Sequence, residues 1–193
     1  MSLRGVAALR RLTRPLVSEG RCGLCAGALA EPHPHLIEPA SRRIECACPA
    51  CALLFDGASG SMRRIGTRVR AVDGEDVALA WDRLALPVSP AFVARWSRSD
   101  GTTIPIATSP SPLGAVDHAL SEGAMDGLAR AHPAIAAMRP DVEALLVRRR
   151  PFVAYVVPID RAFALIGRMR GADRGSAERI VDEALASLER ARA

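Results

Sequence analysis

The sequence predicts an α+β protein, in which a small N-terminal metal module of zinc-ribbon or rubredoxin type precedes an antiparallel-sheet domain with C-terminal helices. Five cysteines and two histidines lie between Cys22 and Cys51, and no cysteine follows. Strand-like stretches dominate the middle of the chain and helical periodicity its end. Because strands and helices do not alternate, we expect an antiparallel sheet. The predicted division is a basic arm at 1–20, a metal-binding module at 21–60 and an α+β domain at 61–193.

The arm has the pattern of a basic amphipathic helix. Apolar residues recur at helical spacing, with arginines between them and Pro15 at the end. Such a helix can lie on an anionic membrane surface, but it carries no Trp or Phe anchor. We therefore favour packing on the protein itself or on a partner. The apolar positions are Leu3, Val6, Leu9, Leu12 and Leu16.

Four cysteines predict one metal centre. Cys22 and Cys25 form one Cys-x2-Cys turn, and Cys48 and Cys51 form a second one, with 22 residues between the two turns. Each turn points two sulfurs at a common point, so that two turns make a closed tetrahedral site. The spacing suits structural zinc, and it also suits a mononuclear iron or an iron–sulfur cluster. Disulfides are less favoured, because the number of cysteines is odd and no secretory segment is recognised before them.

Three more candidate ligands lie between these two turns in the sequence. His33 and His35 are two residues apart, and Pro34 prevents a helix between them, so both rings can face one side of an extended segment. Cys46 stands in the same relation to Cys48. His33 and His35 are additional or alternative ligands, or else residues of the surrounding loop. Cys46 is a further ligand, a reactive thiol or a small buried apolar residue.

Composition limits the function classes. The 193 residues include 49% apolar ones, enough for a core, and contain no apolar run long enough for a membrane span. All 26 basic residues are arginine, as a GC-rich coding sequence favours, so arginine alone is weak support for nucleic-acid binding. The net charge of +5 lies before residue 73. Arg21, Arg42 and Arg43 are expected to offset thiolate charge at the metal centre, and a basic docking face is the alternative.

The segment after the metal module predicts short strands. Phe55–Ser61 is rich in turn-forming residues and connects the module to the domain. Met62–Val72 alternates imperfectly and predicts one or two strands, which end at a turn in Asp73-Gly74. Val77–Trp81 is predicted as another strand.

Ala91–Ser97 predicts a strand with Phe92 and Trp96 in the core. Thr102–Thr108 predicts an edge strand, because Pro105 lacks the N–H that a central strand would use. A loop at Ser109–Gly114 is expected to lead into helical segments, which are Ala115–Ala131 and Pro133–Met138.

The C-terminal third carries the clearest pattern. Val142–Val147 and Phe152–Val157 are apolar and β-branched, and the turn between them predicts a hairpin. Asp160 is placed to cap a helix that ends at Gly171. A last helix begins near Ser176, and its apolar face is formed by Ile180, Val181, Ala184, Leu185 and Leu188.

The larger domain shows no catalytic motif. It lacks a phosphate-binding glycine loop, a nucleophile elbow and a paired-histidine helix. Asp141 and Glu143 can share a face, but nearby arginines favour a surface ion network over acid–base chemistry. His118 lies in a predicted helical segment and His132, before Pro133, at a predicted helix boundary, and neither has an identifiable catalytic partner. We interpret the domain as one for binding or scaffolding and not for catalysis.

Several stretches together resemble a bacterial family of unknown function, whose members are encoded in gene clusters of the high-affinity, oxygen-tolerant type of nickel–iron hydrogenase. The similarity spans residues 8–190. The stretches that carry it are Arg21–Cys25, His33–Leu36, Cys46–Asp56, Ser109–Pro112 with Gly114-Ala115, Pro140–Val147 and Val157–Asp160.

The resemblance implies a cytoplasmic accessory protein that acts in hydrogenase assembly or electron transfer, with hydrogenase subunits or assembly factors as partners. The rival class is a zinc-ribbon nucleic-acid-binding regulator, which the basic first 72 residues favour. Against it, the module has no aromatic residue besides Phe55 for base stacking and no evident recognition helix. We therefore expect a protein partner and not nucleic acid.

Overall fold

The computed structural model describes residues 20–57, 61–112 and 114–192, so that the predicted arm lies outside it except for Gly20. The elements in chain order are β1 (His35–Glu38), β2 (Arg43–Cys46), α1 (Pro49–Phe55), β3 (Arg63–Arg64), β4 (Arg70–Val72), α2 (Glu75–Asp82), β5 (Ala91–Ser97), β6 (Thr103–Ser111), β7 (Gly114–Ala119), α3 (Glu122–Ala131), α4 (Pro133–Ala136), β8 (Glu143–Arg148), β9 (Val153–Pro158), α5 (Ile159–Met169) and α6 (Arg174–Arg190).

Six antiparallel strands form the main sheet, in the order β4-β9-β8-β5-β6-β7. The predicted hairpin is its centre, where Leu146 of β8 pairs with Tyr155 of β9. Both faces of the sheet are buried, because alternate side chains point to opposite sides. Phe92 and Trp96 join the core on one face, and Val93 joins the core on the other.

Helices cover both faces of the main sheet. The face of Phe92 and Trp96 packs against α5 and α6, and the apolar stripe predicted for the last helix contributes there through Val181, Leu185 and Leu188. The opposite face packs against α2, α3 and α4. The predicted α+β class, with antiparallel sheets and C-terminal helices, is confirmed.

A small second sheet, in the order β2-β1-β3, carries the cysteine-rich segment. Its central strand buries side chains in two directions. Leu36 packs with Cys22 and Cys51, whereas the next residue, Ile37, belongs to the core of the main sheet. The cysteine-rich segment is therefore fixed to the larger domain through one face of β1. The predicted boundaries at residues 20 and 60 stay a prediction, and β3 extends this sheet beyond residue 60.

Residues Val77–Trp81 were predicted as a strand, and this prediction is wrong because they lie within helix α2. Val77 and Trp81, four residues apart, are both buried against the main sheet. Glu75 and Asp76 occupy the first turn, where carboxylates are favoured by the helix dipole. The apolar run is too short for its spacing to distinguish a helix from a strand in the sequence.

The predicted helix from Ala115 is also wrong in its first part. Gly114–Ala119 is strand β7, and the helix starts only after Ser121, whose side chain accepts a hydrogen bond from the Ala124 amide at 3.2 Å. Gly114 has φ +132°, which favours glycine at the beginning of the returning strand. The loop predicted at Ser109–Gly114 is thus mostly the end of one strand and the start of the next.

Pro105 does not mark an edge strand, because β6 lies between β5 and β7. The Pro105 carbonyl accepts a hydrogen bond from the Leu120 amide, one residue beyond the end of β7. An N–H at position 105 would point to the same side as this carbonyl, just beyond the last paired residue of β7. Its absence therefore removes no hydrogen bond between β6 and β7. A central strand tolerates proline at such a position.

Asp160 does not cap helix α5, which begins after Pro158 and has no side-chain cap. The Asp160 carboxylate instead bonds His35 of the cysteine-rich segment. The helix ends at Met169, and Gly171 follows with φ +72°. Across the described ranges, no helix has the length and apolar character that a bilayer span requires.

Candidate metal centre

The first cysteine turn is fixed by backbone hydrogen bonds. The Cys22 amide donates to the Gly27 carbonyl and the Ala26 amide to the Cys22 carbonyl, both at 2.8 Å. The Gly23 amide donates to the Cys46 carbonyl at 2.8 Å, which attaches this turn to β2. A Cβ at Gly23 would meet the carboxylate end of the Glu45 side chain, which would have to move aside.

The second turn opens helix α1. Cys48 is its N-cap residue, and the Cys48 sulfur accepts the Cys51 amide hydrogen at 3.5 Å. Pro49 follows at the first helical position, where its missing N–H needs no partner. The helix begins where the sequence suggested only a turn, and it places Cys51 one turn beyond Cys48.

The sulfurs of the two Cys-x2-Cys turns, called the knuckles from here on, converge on one point. One ligand atom from each of Cys22, Cys25, Cys48 and Cys51 lies within 4.8 Å of all the others, and the Cys25 and Cys48 sulfurs are 3.8 Å apart. A tetrahedral zinc with bonds of about 2.3 Å sets its sulfurs about 3.8 Å apart. The donors therefore fit a closed four-thiolate site, and this cluster can hold a metal such as zinc.

The protein environment shifts the pKa values of two of these thiols in opposite directions. Burial opposes ionisation of Cys22, but hydrogen bonds from the amides of Cys48, Cys25 and Leu24 outweigh it and lower its pKa to about 6. Burial and the neighbouring sulfurs raise the pKa of Cys51 to about 12. A bound cation offsets this opposition, because a metal takes its cysteine ligands as thiolates.

One side of the centre faces solvent. Cys22 and Cys51 are buried, whereas Cys25 is exposed. The helix that carries Cys51 also presents Leu53 and Leu54, with 72% and 68% of their surface exposed. An apolar patch thus lies on the short helix that Cys48 caps and that carries Cys51.

The three remaining candidates form a second group. Ligand atoms of His33, His35 and Cys46 all lie within 4.8 Å of one another. The structure brings them together as a set of their own and not around the four knuckle sulfurs. His35 also bonds Asp160, and this hydrogen bond raises the pKa of His35. Burial and surrounding carboxylates raise the pKa of Cys46.

The sequence matches the family of unknown function DUF5947 over residues 21–189. The chain belongs to this family. The match includes both ligand groups and nearly all of the main sheet and its helices. Comparisons with curated proteins and with solved structures gave no match. The family description states no function and does not mention hydrogenase gene clusters.

Two arginines of this DUF5947 protein do not serve the thiolates as expected. Arg42 pairs with Asp117 of β7, and its guanidinium carbon lies 4.5 Å from the centre of the Trp96 ring. Arg43 pairs with Glu45 at 2.9 Å. Arg21 does lie at the first knuckle, where it donates to the Ala26 carbonyl at 3.1 Å. Arg42 therefore links the second sheet to β7 of the main sheet, and Arg43 pairs with a neighbour on its own strand.

The predicted surface network around Asp141 and Glu143 is wrong for this DUF5947 protein, since both carboxylates are buried. Asp141 pairs with Arg63 of β3 at 2.8 Å, and Glu143 pairs with Arg70 of β4 at 2.9 Å. Arg63 and Arg70 come from far earlier in the sequence, so local spacing did not reveal these two pairs, although Glu143 also accepts the Arg139 amide hydrogen at 2.8 Å. The Asp141 pair joins the second sheet to the main sheet, whereas the Glu143 pair links β8 and β4 within the main sheet.

His118 and His132 have structural partners in the DUF5947 fold. His118 lies in β7, not in a helix, and its Nε2 is 3.2 Å from the Ser109 hydroxyl. His132 stands at a helix boundary, as predicted, where its Nδ1 accepts the Ala134 amide hydrogen at 3.1 Å. These contacts account for both rings without a role in chemistry.

Proposed function

We propose that this DUF5947 protein is a metal-binding accessory protein, in which Cys22, Cys25, Cys48 and Cys51 hold one zinc ion. The observation that carries the proposal is the convergence of all four sulfurs within 4.8 Å. Four protein thiolates fill a tetrahedral coordination sphere and leave no open position. Such a site stabilises structure, and it does not activate a substrate.

The small size of the surrounding core supports a structural metal. Among the residues that the structure describes, six buried ones surround the cysteines, and two of these six are ligand candidates. So small a core supplies little hydrophobic stabilisation, and modules of this size commonly depend on a metal for folding. Iron in the same geometry is the alternative, and it would make the centre a one-electron carrier. The buried set is Cys22, Leu36, Ala47, Cys51, Ala52 and Met62.

The surface near the centre supports a protein partner. Leu53 and Leu54 are exposed side by side on α1, where an apolar protein surface can cover them. Arginines of the basic first part are engaged with carboxylates of the same chain, which makes them less available to phosphates. This charge pairing disfavours the nucleic-acid-binding alternative.

Hydrogenase subunits or assembly factors are the partners that we propose, in the cytoplasm. This part of the proposal rests on the resemblance described above for the two cysteine turns and the β8–β9 motifs. The role is either assembly of a nickel–iron hydrogenase, with zinc fixing a docking surface, or electron transfer through iron.

Metal analysis tests the proposed centre. Protein purified without oxygen should be colourless and contain zinc, and replacement of Cys25 by serine should remove the zinc that the four sulfurs hold. The matched control is Cys46→Ser, which leaves the four-sulfur set complete and should retain that zinc. A red or brown iron protein would favour the electron-transfer role. Metal-free protein with four freely reactive knuckle thiols would contradict the proposal.

Deletion of the gene tests the hydrogenase setting. Hydrogen uptake should fall while transcripts of the hydrogenase subunits stay at their normal level. An unprocessed large subunit, or a small subunit without clusters, would indicate an assembly role. Assembled hydrogenase uncoupled from its electron acceptor would indicate electron transfer. Normal hydrogen uptake in the deletion strain would remove this part of the proposal and leave the metal centre untouched.

A further inference from the structure

We propose that His33, His35 and Cys46 form a second metal site, for a first-row transition metal ion such as Zn²⁺. This site is distinct from the four-cysteine centre and goes beyond the proposed function. Three protein ligands leave one coordination position open to water, a small ligand or a partner's side chain. The first centre is closed, and this one is accessible to exchange.

The hairpin positions all three ligands. His35 of β1 stands directly opposite Cys46 of β2 in the antiparallel register. The Ala47 amide donates to the Pro34 carbonyl at 2.9 Å, which extends the ladder beyond the strand ends. His33, two residues before His35, therefore projects to the same side. The two imidazole rings meet edge to face with their centres 5.1 Å apart.

His33 lacks the partners that a buried imidazole requires. Both of its ring nitrogens are buried, and within the described part of the chain neither has a hydrogen-bond partner. The Glu31 carboxylate lies 3.2 Å from Nδ1, but without hydrogen-bond geometry. A buried polar group left without a hydrogen bond destabilises the folded state. Metal ligation satisfies one nitrogen, and the nearby Glu31 carboxylate can orient to the other.

Asp160 provides the orienting contact of a metal-binding histidine. Its Oδ2 lies 2.6 Å from His35 Nδ1, and its Oδ1 accepts the Arg161 amide hydrogen at 2.8 Å. In the tautomer with the proton on Nδ1, this N–H donates a hydrogen bond to the carboxylate. The lone pair of Nε2 is then free to bind a metal. The carboxylate comes from the start of α5, 125 residues away. Asp160 is therefore a positioning residue from the larger domain.

The donor types restrict the ion. Two imidazoles and one thiolate suit zinc, cobalt and copper, whereas magnesium and calcium prefer oxygen ligands. The side chains of His33 and His35 are 13% and 31% exposed, so that the site is partly accessible to solvent. A three-ligand site at the join of the two sheets is suited to exchange its fourth ligand.

Anaerobic titration of the metal-free full chain with Co²⁺ tests the site. The wild type should bind two equivalents, and Cys46→Ser and His33→Ala should each bind one. The equivalent that is lost should carry the weaker thiolate-to-metal absorption, because it has one sulfur ligand and not four. Two equivalents in both variants would overturn the proposal. A single equivalent in the wild type that both variants retain would overturn it and leave the four-cysteine centre intact. A single equivalent that both variants lose would instead remove the four-cysteine centre and support this site.

Asp160→Asn separates a positioning role from a general structural one. The amide keeps an acceptor near His35 but removes the charge, and loss of such a contact typically weakens metal binding by about 10- to 100-fold. We expect that loss for the second equivalent only, with the affinity of the first and the thermal unfolding midpoint unchanged. The matched control is Asp173→Asn, at the exposed cap of α6, which should change neither affinity. Equal affinity of the second equivalent in Asp160→Asn and wild type would refute the role of Asp160.

Discussion

Replacement of Cys25 by serine is expected to unfold the segment from Cys22 to Met62 locally, while the six-stranded domain stays folded. Within the described ranges, the cysteine-rich segment has a core of six buried residues, whereas the core beside α5 and α6 has nineteen. A structural zinc contributes an apparent binding free energy of roughly 10–16 kcal/mol in small modules. No other interaction of that size holds the knuckles together in the described structure.

Hydrogen exchange and thermal unfolding check this result. Amides of β1, β2 and α1 should lose protection in Cys25→Ser, and those of β8 and β9 should keep it. The change near Arg42 should also alter the fluorescence of Trp96, because their side chains are stacked. Cys46→Ser is the matched control and should retain protection in α1. Loss of protection throughout the main sheet would show that the two parts fold as one unit.

Replacement of Asp141 by alanine is expected to destabilise the whole protein by about 1–3 kcal/mol, the usual effect of leaving a buried hydrogen-bonding group without its partner. Asp141 is fully buried, and its Oδ1 accepts the Ser97 amide hydrogen at 2.7 Å. Its Oδ2 accepts the Ser97 hydroxyl hydrogen at 2.7 Å and pairs with Arg63 at 2.8 Å. Alanine leaves the Ser97 amide without a partner and is also disfavoured at φ +68°.

Denaturant unfolding of three variants checks this expectation. Asp141→Asn should lose less stability than Asp141→Ala, because asparagine keeps an acceptor for the Ser97 amide and tolerates positive φ. Asp100→Ala is the matched control, since this exposed carboxylate also accepts hydrogen bonds from the following Thr102. Its loss should be much smaller, because solvent can replace those bonds. Equal effects of Asp100→Ala and Asp141→Ala would contradict the importance of burial.

The sequence by itself determined the features that depend on local spacing. Two Cys-x2-Cys turns predict converging sulfurs, because each turn fixes its own geometry. The β-branched runs around the Arg148–Pro151 turn predict the β8–β9 hairpin, and the apolar face with Val181, Leu185 and Leu188 predicts α6. In each case the signal lies within a few residues, so that no distant contact is needed to interpret it.

Only the tertiary structure decided what depends on distant partners. The helix at Glu75–Asp82 and the strand at Gly114–Ala119 were misassigned, because short apolar or mixed runs do not distinguish the two periods without their packing surfaces. Asp141 gains its role from Arg63, and His35 gains its orientation from Asp160, across separations that spacing cannot reveal. The sequence therefore identified His33, His35 and Cys46 as candidate ligands, but the register of β1 and β2 made them a separate group.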